Sequence, residues 1–316
     1  MSESAVGFSL SENLLRVAQV VRRDGSIRIE KLNQKRCPHP FRLLTLDNQE
    51  RFQTLLSTLE DVFEQDNWPA TMGVSIPNEL VLIKEFPVDD DLSQNELENQ
   101  VHWEASQFLP DELSAEYVLS YQRLNFEQVS VLLVAFRELV LHRVRQAFDT
   151  IGSKPRFLGV DVFAALSAVN ALYELNEGLS ALLEVGENRA HLMLLKGGDY
   201  LVSKKLPYAL AEEKETALFD NPEALAGFLK KESRKLLLDR KIDEGEMPFS
   251  QLFVYGEKAS AELITALEDG PAVEVLLVDP FQPGGADEEV VEEEWRQNPS
   301  VWAPAVGVAL QALESD

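Results

Sequence analysis

The feature that most restricts how this chain can fold is a short unit that occurs twice. The stretch "VGFSLSENLLRVAQVVRRDGSIRI", residues 6–29, reads as a strand from Val6, a polar turn at 11–13, a strand at 14–21, an Asp24-Gly25 turn and a third strand at 27–29. The stretch "ALLEVGENRAHLMLLKGGDYLVS", residues 181–203, repeats that layout, with turns at 186–189 and at Gly197-Gly198. Asp-Gly or Gly-Gly between alternating apolar runs is a strong hairpin signal. A three-stranded unit recurring past mid-chain predicts two similar halves that face each other.

The chain between and after the units alternates strands with helices, which predicts a layered α/β architecture rather than a barrel or a bundle. A helix at 48–65 and the short strand "TMGVSIP" follow the first unit. A segment of different character comes next. It holds a strand in "ELVLIKEFPV", a helix in "SQNELENQVHWEASQFL" with Ser93 and Glu96 spaced as a capping box, two strands in "YVLSYQRLNFEQVSVLLVAF", and a helix in "ELVLHRVRQAFDTIG" closed by Gly152. This β-α-β-β-α run is predicted to be a compact insert in the first half. Strand "PRFLGVD" and helix "VFAALSAVNALYEL" then resume the main pattern. After the second unit come a helix with Asn221 as N-cap and Pro222 at its first position, strand "QLFVYG", helix "SAELITALED" and strand "AVEVLLVDPF". The stretch "QPGGADEEVVEEEWRQNPS" is expected to be a solvated loop or frayed helix, and "VWAPAVGVALQALES" the closing helix.

Charge and composition remove several function classes. The formal net charge of -25 opposes binding to nucleic acid or to an anionic lipid surface. Cys37 is the single cysteine, so no intrachain disulfide forms and a reducing compartment is expected. The four histidines are scattered without zinc spacing, and no metal site is expected. No apolar run approaches the roughly 20 residues of a membrane span, and the N-terminus lacks the pattern of a secretory signal. On the insert helix, Leu97, Val101, Ala105 and Phe108 share one stripe. Trp103 falls off it, as a cover over a neighbouring element or an anchor for a partner, and Glu104 falls within it, where it either escapes at the rim or pairs with an arginine such as Arg137 or Arg143.

This order of elements resembles the actin-like ATPase superfamily, in particular the PilM pilus-assembly proteins and the cell-division protein FtsA. The local likeness is to PilM, in "ENQVHWEASQFLP", "LLVAFRELV", "KPRFLGVDVFAAL", "VEVLLVDPF" and "VWAPAVGVALQAL". The resemblance implies an actin-like, duplicated RNase H-like fold. Residues 1–82 and 151–178 would form the first half, 83–150 the insert and 179–299 the second half, with a helix in 300–316 returning to the first.

In that superfamily the first turn of each half resembles Asp-x-Gly followed by hydroxyl residues. The aspartate holds magnesium and the glycine admits backbone N–H groups to a phosphate. By resemblance the nucleotide positions here are Ser9 and Ser11, then Glu12 and Asn13, in the first half. In the second they are Glu184 and Gly186, then Glu187, Asn188 and Arg189, with Glu232, Lys235 and Gly256 on the base and ribose side. Ser9 is a poor magnesium anchor, Ser11 adds a Cβ, and Glu184 displaces its carboxylate by a methylene. These turns are therefore degenerate, no catalytic residue is assigned, and no cofactor is expected; Asp161 is the best remaining carboxylate.

The resemblance then implies a cytoplasmic scaffold at the inner face of the inner membrane. It would grip the N-terminal tail of a PilN-like bitopic protein in a groove drawn on Phe86, Trp103, Phe108 and Leu109. Two alternatives stay open: an ATP-binding, magnesium-dependent actin-like protein whose partner binding follows the nucleotide, or a sugar-kinase-like enzyme, and a cytoplasmic domain of the GspL kind. Self-association is left open as well.

Overall fold

The computed structural model describes residues 3–315 except 12, 24, 65–66, 110–115, 126–128, 188, 207–220, 240–248, 269–272, 283–284 and 287–288. Glu12 and Asn188 therefore lie outside the described residues.

The first unit is an antiparallel meander of β1 (Glu3–Ser11), β2 (Leu14–Arg23) and β3 (Ser26–Arg36). β3 runs well past the expected 27–29. Its register shifts opposite Gln19 and Val20, and this bulge puts Ile29 and Leu32, three residues apart, on one buried face. The extra residue breaks the alternation that marks a half-buried strand.

Parallel to β1 lies β4 (Met72–Ile76), and parallel to β4 lies β8 (Phe157–Val160), giving the order β3-β2-β1-β4-β8. The second half repeats this arrangement. Its strands β9 (Leu179–Val185), β10 (Ala190–Lys196), β11 (Asp199–Leu206), β12 (Gln251–Tyr255) and β13 (Glu274–Leu277) form the order β11-β10-β9-β12-β13 with the same strand senses. The sequence repeat is thus a repeat of topology.

A third sheet, β5-β7-β6, is built from β5 (Val81–Pro87), β6 (Tyr117–Asn125) and β7 (Val129–Arg137). Side chains of β7 alternate between its faces. Val131, Leu133 and Ala135 meet Leu97, Val101 and Ala105 of helix α3 (Gln94–Phe108), while Leu132, Val134 and Phe136 face the body of the molecule. Both capping-box bonds at the start of α3 are made, Ser93 and Glu96 each bonding the other's backbone N–H.

The helices α1 (Leu43–Leu46), α2 (Gln49–Glu64) and α4 (Glu138–Thr150) pack together on the first half. Phe148 of α4 meets Phe8 of β1 edge-on at 5.1 Å, so this last helix of the expected insert run has its buried side chains in the first-half core. Helix α5 (Asp161–Leu172) lies against the same half, and α6 (Pro222–Asp239) and α7 (Ala261–Glu268) cover the second. Asn221 caps α6 by accepting the Ala224 N–H at 2.9 Å.

The acidic stretch differs from the solvated loop expected of it. The Ile29 N–H donates to the Gly285 carbonyl at 2.8 Å, Val291 is buried, and Trp295 of the one-turn helix α8 (Glu293–Arg296) packs tilted against Trp302, ring centres 5.0 Å apart. Two apolar side chains among the acids are enough to tie it down.

Helix α9 (Ala303–Glu314) returns to the first half and is buried along nearly its whole length between the first sheet and α5. Glycine makes this approach possible. A Cβ on Gly307 would stand 1.7 Å from the Ala164 carbonyl oxygen, and one on Gly7 would stand 2.0 Å from that of Ala305. The spacing places α9 directly beneath the strand ends that carry the central site.

Candidate functional site

The two halves meet where β1, β9 and β12 end. Ser9, Ser11, Arg16, Asp161, Glu184, Arg189, Tyr255, Gly256 and Glu257 converge there around about 10 Å³ of free space, the room of a single water. Each side chain is delivered by a strand end or a helix start. Ser9 and Ser11 end β1, Glu184 sits near the end of β9, Gly256 and Glu257 follow β12, and Asp161 opens α5.

Two charge clusters fill the cleft and join the halves. In the larger, Arg189 donates to Glu184 Oε1 from Nε and Nη2, both at 2.7 Å. It also reaches Asp161 Oδ2 at 3.4 Å and Glu79 Oε1 at 3.3 Å. The remaining oxygens are taken as well. Glu184 Oε2 accepts from Asn78 Nδ2 at 2.8 Å, and Asp161 Oδ1 accepts the backbone N–H groups of Asn78 and Val162 at 2.9 and 2.8 Å. Lys205 Nζ donates to the carbonyls of Asn78 and Val81. In the smaller cluster, Arg16 bonds Glu257 Oε1 and Ser11 Oγ, both at 3.2 Å, and Ser11 bonds Glu257.

Burial sets the electrostatics. It pushes the Asp161 carboxyl up to about 8, helped by the neighbouring Glu184 charge and opposed by Arg189. Glu184 is raised for the same first reason. Burial alone would weaken the Arg189 guanidinium, but Glu184, Asp161 and Glu79 outweigh it and hold the proton more firmly than usual. Glu257 is drawn below its ordinary range because Arg16 and Ser11 override its burial. His191, opposite Glu184 in the sheet, is pushed down to about 3 by burial and by the cations Lys205 and Arg189, so it is a neutral imidazole.

Among the residues expected at a nucleotide, Ser9, Ser11, Glu184 and Gly256 do line this cleft. Gly256 has φ +114°, a conformation suited to glycine, and a Cβ there would stand 2.5 Å from the Val185 carbonyl. Gly186 sits in the turn behind, closed by its N–H to the Arg189 carbonyl at 2.9 Å. Glu232 and Lys235, on α6, are not among the residues that line it. Sequence reasoning missed Arg16, Asn78, Glu79 and Lys205. Asn78, Glu79 and Lys205 meet only partners far away along the chain, and Arg16, though five residues from Ser11, is tied to Glu257 in the other half.

The insert presents a second concave site. A groove of about 690 Å³ runs between β6, β8 and α5 and is also lined by the β10–β11 turn. Leu124, Leu132, Val134 and Phe136 of the insert sheet form one wall and Phe157, Leu158, Phe163 and Leu166 the other. Both β6 and β8 are edge strands of their sheets.

The four residues expected to line a partner groove are placed elsewhere. Phe86 and Leu109 are buried in the α3 side of the insert, Phe108 is half-buried under Lys84, and Trp103 is 59% exposed on the outer face of α3. The groove lies on the opposite face of the insert sheet, the one α3 leaves uncovered. Glu104 pairs with Lys84 at 3.2 Å instead of with Arg137 or Arg143, which stack on Tyr117 and Phe52.

Two like sheets meeting at a polar cleft, with an insert on the first, define the actin-like fold. A Bacteroides thetaiotaomicron protein of actin-like ATPase fold and unknown function is similar with a TM-score of 0.51 and 10% identity, over 89% of this chain and 93% of that one. More similar is a structure of the PilM-PilN type IV pilus biogenesis complex, with a TM-score of 0.75 and 21% identity over 98% of each chain. Residues 7–209 match the family described as type IV pilus assembly protein PilM, and the chain belongs to that family. A search of curated proteins gives no match.

Proposed function

We propose that this protein is a non-enzymatic, actin-like scaffold of type IV pilus assembly whose groove between β6 and β8 grips the cytoplasmic tail of a PilN-like inner-membrane protein. The observation that carries this reading is the contrast between the two concave sites, a cleft of about 10 Å³ and a groove of about 690 Å³. Magnesium with a nucleotide needs carboxylate oxygens free to face the ion. Those of Glu184 and Asp161 are engaged by Arg189 and by amide donors, and Ser9 offers a neutral hydroxyl. The residues present therefore do not fit that cofactor.

The groove offers what an extended tail requires. A free strand edge supplies main-chain hydrogen bonds, and apolar side chains on either side accept alternate residues of the guest. The acidic body, with net charge -25, attracts a basic flank on the tail. No helix among the described residues is long and apolar enough to cross a membrane, so the partner would supply the link to the inner membrane. The similar complex, in which PilM is paired with PilN, supports this assignment.

Calorimetric titration tests both halves of the reading. The cytoplasmic tail peptide of the cognate PilN-like protein is expected to give saturable heat, and ATP with magnesium none. Saturable micromolar nucleotide binding would overturn the first half. A folded protein that ignores the peptide would overturn the second.

A further inference from the structure

The two concave sites share one element. The hairpin β10–β11 is paired from Ala190 opposite Leu206 to Lys196 opposite Asp199, with one register shift between Leu194 and Leu195. At its open end stand Arg189, just before β10, and Lys205, near the end of β11. Arg189 is bonded to Asp161 and Glu79, and Lys205 to the Asn78 and Val81 carbonyls, all in the first half or at the root of the insert. At its closed end stand Gly198, Asp199 and Tyr200, which line the groove.

That closed end is docked on α5. Asn170 Nδ2 donates to the Gly198 carbonyl at 3.0 Å, and the Tyr200 ring meets Phe163 edge-on at 5.6 Å. A Cβ on Gly198 would stand 3.2 Å from Asn170 Oδ1, a tight contact. Seven paired residues at about 3.3 Å each separate the ends, roughly 20 Å of ladder. A two-stranded ribbon held in a five-stranded sheet transmits a shift at one end to the other.

We infer that the charge cluster in the cleft controls the groove, with the β10–β11 hairpin as the lever: Arg189 and Lys205 hold the second half against the first, and this sets Gly198 to Tyr200 as part of the groove's wall. In this arrangement Arg189 is a resident cation doing internally what a bound ligand between two halves would otherwise do. Partner grip then depends on a contact far from the groove. The coupling rests on the groove being the tail site.

Two readouts separate the coupling from that reading. Spin labels on Gln122→Cys and Asp199→Cys, both exposed, report the width of the groove by pulsed dipolar spectroscopy; Cys37, only 4% exposed, stays unlabelled in the native protein. Arg189→Met and Lys205→Met are each expected to lengthen and broaden the label separation. Each is also expected to weaken the cognate tail peptide by about fivefold or more, the low end of ordinary coupling between sites. Asn170→Ala, which frees only the closed end, is expected to widen the groove with the cluster intact. Unchanged separations in folded Lys205→Met and Arg189→Met would overturn the lever, and if Arg189→Met does not fold, Lys205→Met decides. A wild-type protein that ignores the peptide would remove the tail-binding reading, while the label separations would still test the lever.

Discussion

Arg189 and Glu184 hold each other across one turn, with Arg189 Nη2 2.7 Å from Glu184 Oε1 and both side chains largely withdrawn from water, at 14% and 4% exposure. Desolvating such a pair is costly, and its attraction offsets the cost only when every remaining oxygen and proton is matched. Here they are matched: Asn78 takes the second Glu184 oxygen, and Asp161 and Glu79 share the remaining guanidinium edges. The pair is therefore best understood as the centre of a closed network between the two halves.

Breaking that network from the cationic side should be severe. Arg189→Met takes from Glu184, Asp161 and Glu79 the guanidinium that bonds all three and leaves only Lys205 nearby, and removal of one partner from a buried pair costs about 3–5 kcal/mol. Urea denaturation at pH 7 is expected to show a loss of that order. Arg189→Met combined with Glu184→Gln is expected to recover much of it, because the remaining charge is then smaller. A loss below about 1 kcal/mol, the range of exposed ion pairs, would contradict a buried network.

The raised carboxyl of Asp161 gives stability a pH dependence of definite sign. Its value of about 8 in the folded protein stands above the ordinary aspartate value near 3.9. The native state therefore binds more protons between these limits, and the contribution is fully present below about pH 4 and lost as pH rises through 8. His191, held neutral above about pH 3 while a free imidazole protonates near 6.5, acts in the opposite direction up to about pH 6.5, and it cancels when two proteins that both carry it are compared. Asp161→Asn keeps an oxygen for the Asn78 and Val162 N–H groups yet cannot ionise. The gap between wild type and Asp161→Asn in urea midpoint is expected to shift in favour of the variant from pH 5 to pH 9. A constant gap would place the proton elsewhere.

The sequence made the two halves legible because their turns depend on local chemistry. Gly25, Gly197 and Gly198 occupy positive φ, at 81°, 58° and 88°, which glycine adopts at little cost, and Asp-Gly and Gly-Gly spell that out in the chain. The Ser93 and Glu96 box was legible for the same reason. The length of β3 was not, since a bulge removed the alternation by which strands are recognised. The charge network was hidden for a different reason. Arg189 is visible as a cation beside a turn, but its acceptors Glu79 and Asp161 belong to other elements, and only the closing of the halves brings them together. The insert's faces were equally silent. Helical period identifies the buried stripe of α3, yet it does not say which side of the sheet α3 covers, so nothing local marks Phe86 and Leu109 as core and not groove.

The packing of α9 can be tested at a single atom. Replacing a helical glycine with alanine ordinarily favours a helix by up to about 1 kcal/mol. At Gly307 the new methyl would stand 1.7 Å from the Ala164 carbonyl oxygen, which is backbone and cannot turn aside. Gly307→Ala is therefore expected to destabilise by about 1–3 kcal/mol or more, the range of overpacked cores, read as a lower urea midpoint. A gain in stability would mean that α9 and α5 do not approach as described.

The two faces of the insert make opposite predictions for partner binding. Ser120 lies on the edge strand β6, exposed to solvent and lining the groove, so Ser120→Arg places a long cation across the path of a tail without disturbing the core. It is expected to reduce the affinity of the cognate tail peptide at least tenfold, with an unchanged urea midpoint. Trp103 is exposed on the outer face of α3, away from the groove. Trp103→Ala is expected to leave the same titration unmoved, although an exposed tryptophan is by type a common anchor for partners. The reverse pattern, with Trp103→Ala abolishing the heat and Ser120→Arg sparing it, would move the tail from the strand edges to the helix face. The lever formed by β10 and β11 would then end at a wall no partner touches.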